Sequence, residues 1–125
     1  WLFHGERLRR KKPWRNEGTK TMIIHHQKLV RDQIPEVIKE SGKEFSFHQC
    51  NKEELISFAK KKLLEEAQEF VENPCPEEAG DILEILFFLT DTLNIRKQEI
   101  AAHRISKFAR NGGFDKGIVL EWVKE

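Results

Sequence analysis

The amino-acid sequence predicts an all-α, mainly helical fold, an antiparallel helical bundle completed by oligomerisation, with one or two short peripheral strands. Three long segments place apolar residues every three or four positions, which is the spacing of amphipathic helices. Short connections that contain proline or glycine separate these segments. The chain has 125 residues, the length of one ordinary domain, so we expect a single modest core.

The first predicted helix follows an extended start at Met22. Asp32 stands where it can cap this helix near Pro35, and Gly42 marks its end. Residues 45–49 then alternate apolar and polar side chains, a pattern typical of a short strand.

Three longer helices follow in the prediction. The longest covers residues 52–73 and stops at the sequence Asn-Pro-Cys-Pro. The next runs from about residue 77 to 93, with Pro76 just ahead of it or in its first turn, where proline is favoured. The last covers about residues 97–111 and ends at two glycines, and the apolar tail after it has the character of an extended segment.

These helices cannot cover one another within a single chain. The longest has about 22 residues, its neighbour is apolar around much of its circumference, and only one further long helix, of about 15 residues, remains to cover them. A domain of this size also buries a limited fraction of its surface. We therefore expect a homodimer or homotetramer in which a four-helix bundle forms across subunits.

Composition excludes several classes of protein. Hydrophobic residues make up 38% of the chain and charged residues 34%, which fits a small soluble protein with no membrane partner. No apolar run approaches the roughly 20 residues of a membrane span. The two cysteines form no CxxC motif and indicate a reducing, cytoplasmic location. The bulk of the core is expected from aromatic side chains, among them Phe47, Phe87, Phe88 and Trp122.

The net charge of +1 hides a division at Met22, the only methionine. Residues 1–21 contain seven Lys or Arg against two Glu, whereas the remainder has a net charge of −4. We interpret residues 1–21 as a basic N-terminal extension, derived from an expression vector or an upstream segment, and residues 22–125 as the domain. The alternative is a nucleic-acid-binding arm in which Trp1 and Trp14 stack on bases, and no groove-reading motif supports it.

Two acidic pairs with i, i+3 spacing lie on consecutive predicted helices. Glu66 and Glu69 border the apolar face of the longest helix, and Glu78 and Asp81 open the next one. A short turn makes the two helices antiparallel neighbours, so the four carboxylates can converge. Converging carboxylates repel one another, and a divalent cation removes that repulsion. Oxygen ligands select Mg²⁺, Mn²⁺ or Ca²⁺ over zinc. Mg²⁺, for which Mn²⁺ can substitute, is the usual choice where carboxylates and a substrate phosphate share the ion.

Other interpretations compete with a metal site. The acids could form a solvated face of a catalytically silent bundle, and Glu78 taken alone suits an exposed first turn, where acids complement the helix dipole. The histidines at positions 25, 26 and 48 show no zinc-site spacing and are interpreted as surface residues.

The ordered pattern Glu66-x-x-Glu69 and Glu78-x-x-Asp81 resembles the ExxE…ExxD signature of the all-α nucleoside triphosphate pyrophosphohydrolases. That superfamily includes MazG, dimeric dUTPases and phosphoribosyl-ATP pyrophosphohydrolase. Residues 28–35 (KLVRDQIP), 63–69 (LLEEAQE) and 107–114 (KFARNGGF) strengthen the resemblance to the small MazG-related proteins, which covers about residues 26–120. One departure is Asn111, inserted where the family often has Arg-Gly-Gly-Phe.

The resemblance implies a Mg²⁺-dependent enzyme that hydrolyses a nucleotide between the α and β phosphates. The products would be a monophosphate and pyrophosphate, and the role would be clearance of the nucleotide pool. The metal ligands would be Glu66, Glu69, Glu78 and Asp81, with Glu66 and Glu69 catalytic and Glu69 the base. Cationic side chains would bind the substrate phosphates, namely Arg31, Lys107, Arg110 and, with less weight, Lys28.

Overall fold

A computed structural model describes residues 22–125, and the basic extension before Met22 lies outside the described residues. Four helices occur in this part of the chain: α1 (Ile34–Glu40), α2 (Lys52–Glu72), α3 (Pro76–Thr92) and α4 (Lys97–Asn111). The bounds of α2, α3 and α4 agree with the predicted helices to within one residue at each end. The mainly helical fold is therefore confirmed, and none of these helices is both long and apolar enough to cross a membrane.

The chain divides into two compact units, and the boundary falls inside α2. The described part of the first unit, residues 22–62, contains α1 and the beginning of α2. The second unit, Leu63–Glu125, contains the end of α2, all of α3 and α4, and the tail. All four predicted acidic ligands therefore belong to the second unit.

The ends of α1 show one difference from prediction. Its N-cap is Gln33, without a side-chain capping bond, so the expectation that Asp32 caps the helix is wrong. Pro35 instead supports the first turn, because its fixed backbone angle suits a helix start. At the other end the Ser41 hydroxyl donates to the Ile38 carbonyl at 2.6 Å, and Gly42 follows with a φ of 81° that glycine adopts without strain.

Backbone hydrogen bonds between residues near in sequence also mark the C-terminal ends of α3 and α4. After α3 the chain turns at Asn94, which has a φ of 61°, and Ile95 N–H donates to the Thr90 carbonyl at 2.8 Å. Helix α4 ends where Gly112 N–H donates to the Phe108 carbonyl at 2.8 Å. The inserted Asn111 is the last residue of α4, so it extends the helix rather than interrupting it.

Residues 22–125 contain no β-strand. The segment 45–49 does place alternate side chains together, since the rings of Phe45 and Phe47 stack with centroids 5.9 Å apart. A strand also requires a hydrogen-bonded neighbour, and neither this segment nor the apolar tail is paired with one. Side chains of residues 45–49 alternate as the sequence predicts, but the expected peripheral strands do not form in the described part of the chain.

The buried apolar core of residues 22–125 is small. In the first unit the buried apolar residue is Ala59 on α2, and in the second unit the buried apolar residues are Ile85 and Leu89 on α3. Phe87 is half-buried, and the Lys97 ammonium lies 5.1 Å from its ring centroid. Three aromatic side chains expected in the core are exposed instead, so that prediction is wrong for Phe47, Phe88 and Trp122.

Candidate metal centre

Three of the four predicted acidic ligands converge in the second unit. Each of Glu66, Glu78 and Asp81 offers a carboxylate oxygen, and these oxygens lie within 4.8 Å of one another. Residues 73–75 form the short connection between α2 and α3, which brings the last turns of α2 beside the first turns of α3. The spacing of three residues between Glu78 and Asp81 places both on one face of α3.

Two of these carboxylates are buried. Glu66 has a relative exposure of 2% and Glu78 of 3%, while Asp81 is half-buried. The interpretation of Glu78 as an exposed first-turn residue is therefore wrong. Burial of an ionised carboxylate costs free energy that charge compensation must offset. Two ionised carboxylates 4.8 Å apart repel each other by about 3.5 kcal/mol at an effective dielectric constant of about 20.

Glu69 lies beside this group on α2, and its protonation reflects the local excess of negative charge. Burial, followed by the charge of Glu66, raises the pKa of Glu69 from 4.5 to about 7. A hydrogen bond with Glu66 and the charges of Glu78 and Glu65 act in the same direction. The carboxyl of Glu69 therefore titrates near neutral pH in the metal-free chain, which is unusual for a glutamate.

The donor set fits a hard divalent cation. Oxygens bound at about 2.1 Å to one Mg²⁺ lie about 3.0 Å apart when adjacent and about 4.2 Å apart when opposite. The oxygens of Glu66, Glu78 and Asp81 lie within 4.8 Å of one another, which is close to the larger of these separations. No nitrogen or sulfur donor belongs to this three-residue group, and carboxylate oxygens suit Mg²⁺ or Mn²⁺.

The predicted phosphate-binding cations lie on exposed parts of the chain. Lys107 and Arg110 project from α4 in the second unit, and neither forms an ion pair with another described residue. Asn111 leaves Arg110 within the last turn of α4. Lys28 and Arg31 are exposed in the first unit, in the segment that precedes α1.

A second group of ligand-type side chains, which was not predicted from the sequence, lies in the first unit. His48, Cys50 and Glu54 each bring one donor atom within 4.8 Å of the other two. The pKa of the Cys50 thiol is raised by burial and by the negative charge of Glu54. The sequence feature that could have indicated this group is a His-x-Cys sequence just before a predicted helix, with an acidic residue four positions after the cysteine.

Comparisons of this chain with protein-family models, with curated proteins and with solved structures find no match.

Proposed function

We propose that this protein is a Mg²⁺-dependent nucleoside triphosphate pyrophosphohydrolase that acts in clearance of the nucleotide pool. It would cleave its nucleotide between the α and β phosphates and release a monophosphate and pyrophosphate. The convergence of Glu66, Glu78 and Asp81 within 4.8 Å, two of them buried, is the observation that carries the proposal. The order of acidic motifs along the chain supports the same reaction.

In this proposal Glu66, Glu78 and Asp81 hold the cation, and Glu69 completes the acidic site. When bound, Mg²⁺ supplies charge that neutralises phosphate oxygens and orients the substrate. Glu69 would accept a proton from the attacking water, because its carboxyl lies beside the carboxylates that would hold the cation.

In this proposal basic side chains bind the phosphate oxygens whose charge the metal does not neutralise. Lys107 and Arg110 have i, i+3 spacing and therefore share one side of α4. A guanidinium can bind two phosphate oxygens at once, which favours Arg110 and Arg31 for this task. Lys28 is the fourth candidate, and its ammonium would act as a point charge.

Apolar side chains exposed in the second unit support assembly into a homodimer or homotetramer. On α4, Ile105 is 72% exposed and Phe108 66%, and in the tail Phe114 is 97% exposed. Exposure of several large apolar side chains is typical of an interface. Sedimentation velocity tests this point: the chain should sediment as a dimer or tetramer at micromolar concentration, and Phe108→Asp should shift it towards the monomer. A monomeric native chain would contradict the assembly.

The reaction is tested with a panel of nucleoside triphosphates, deoxynucleoside triphosphates and phosphoribosyl-ATP in Mg²⁺, with pyrophosphate as the measured product. Glu78→Gln should lower kcat by at least about 100-fold, because loss of a direct ligand exceeds the usual effect of outer-shell changes. Glu84→Gln is the matched control, since Glu84 is exposed on the same helix. No pyrophosphate from any nucleotide in Mg²⁺ or Mn²⁺, or equal turnover in both variants, would refute the proposal.

A further inference from the structure

The second ligand cluster is built from one short stretch of chain. His48 and Cys50 precede α2, and Glu54 lies in the first turn of this helix. The Nε2 atom of His48 lies 3.2 Å from Oε2 of Glu54, and the Cys50 Sγ is within 4.8 Å of a donor atom on each. All three residues belong to the first unit, whereas the acidic site belongs to the second.

Local backbone structure explains why these side chains meet. Positions 48 and 50 are two residues apart in a non-helical segment, where alternate side chains share one side, as Phe45 and Phe47 do just before them. The Asn51 side-chain oxygen accepts a hydrogen bond from Glu54 N–H at 2.8 Å and holds the first turn of α2 in place. Glu54 is thereby directed back towards the preceding segment.

The chemistry of the three donors differs from that of the acidic site. Imidazole nitrogen, thiolate sulfur and carboxylate oxygen are the ligands of zinc, whereas Mg²⁺ prefers oxygen alone. A nitrogen and an oxygen bound to one tetrahedral Zn²⁺ lie about 3.4 Å apart, close to the 3.2 Å between His48 and Glu54. In the metal-free chain the His48–Glu54 pair and a hydrogen bond between the Cys50 thiol and Glu54 hold the three donors together.

We propose that His48, Cys50 and Glu54 form a zinc site with three protein ligands and a solvent molecule in the fourth position. The His48 side chain is 62% exposed and that of Glu54 37%, so solvent can reach the remaining coordination position. Zinc bound here connects the segment before α2 to the first turn of that helix. This site is independent of the proposed pyrophosphohydrolase activity.

Cobalt provides a direct test, because Co²⁺ occupies zinc sites and a cobalt–thiolate bond produces a charge-transfer absorption band. The full chain is reduced, stripped with a chelator, exchanged into excess Mg²⁺ to saturate the acidic site, and titrated with Co²⁺. We expect the thiolate band to rise to saturation at one equivalent and to disappear on addition of Zn²⁺. Histidines elsewhere do not contribute to this band.

Variants assign the ligands. Cys50→Ser should abolish the band, and His48→Gln and Glu54→Gln should each weaken Co²⁺ binding at least about tenfold. Cys75→Ser is the matched control and should leave the titration unchanged, and Glu78→Gln should do so as well, which separates this site from the acidic one. Circular dichroism checks that each variant is folded. Absence of the band, its persistence in Cys50→Ser, or full affinity in both His48→Gln and Glu54→Gln would overturn the proposal.

Discussion

Replacement of Glu69 by glutamine removes a charge from the acidic site without changing the size of the side chain. Below about pH 4.5 the Glu69 carboxyl is protonated in both the folded and the unfolded chain, so it does not make the free energy of unfolding depend on pH there. Between pH 4.5 and about 7 the unfolded chain loses this proton while the folded chain keeps it. The free energy of unfolding of the metal-free protein therefore falls as the pH rises through this window, and it levels off above pH 7.

The size of this effect follows from the pKa. A rise from 4.5 to about 7 corresponds to at most about 3 kcal/mol of lost stability at pH 8. Repulsion from Glu66 and Glu78 is part of this effect. We therefore expect Glu69→Gln to raise the free energy of unfolding at pH 8 by about 1–3 kcal/mol in the presence of EDTA. Urea denaturation followed by circular dichroism at pH 5 and pH 8 measures the difference.

Two comparisons make this result decisive. Glu72→Gln changes an exposed carboxylate on the same helix and should alter stability by less than about 0.5 kcal/mol at either pH. The native protein should lose more stability between pH 5 and pH 8 than the Glu69→Gln variant does. An identical pH dependence in the two proteins, or a less stable Glu69→Gln variant at pH 8, would refute the reasoning.

Three further predictions concern the second unit. At 100 times its dissociation constant, Mg²⁺ should stabilise the native protein by about 2.7 kcal/mol at pH 8, and Asp81→Asn should lose most of this gain in a thermal melt. Leu89→Ala should cost about 2–5 kcal/mol in urea denaturation because Leu89 is 6% exposed, whereas Leu83→Ala, at 51% exposure, should cost less than about 1 kcal/mol. Gly80→Ala should stabilise the protein by about 0.5–1 kcal/mol and raise its melting temperature, because outside the backbone of its own helix turn no atom lies within 4 Å of the added methyl group; a lower melting temperature would contradict this.

The helices and the acidic convergence were predictable because local chemistry determines both. Pro76 and Gly112 mark the ends of neighbouring helices, and the long helices observed agree closely with the segments between such residues. The i, i+3 spacing of Glu78 and Asp81 on a helix joined to α2 by a short turn was enough to anticipate that they approach Glu66.

Features that depend on packing were not predictable. A helix considered by itself gives Glu78 an exposed first turn, whereas in the folded chain its relative exposure is 3%. Hydrophobicity placed Phe47 and Trp122 in a core, but it cannot say which surfaces one chain covers and which it leaves exposed. The cluster around Cys50 crosses the junction between a non-helical segment and a helix, where no single periodicity applies.

Anomalous diffraction from crystals grown with Mn²⁺ and a non-hydrolysable nucleoside triphosphate tests the central claim most directly. The account predicts a manganese peak coordinated by carboxylate oxygens of Glu66, Glu78 and Asp81, with the triphosphate bound to the same ion. A Glu78→Gln crystal should lack that peak or show it strongly reduced. A triphosphate and manganese bound elsewhere on the chain, or no peak at these carboxylates at saturating Mn²⁺, would contradict the account.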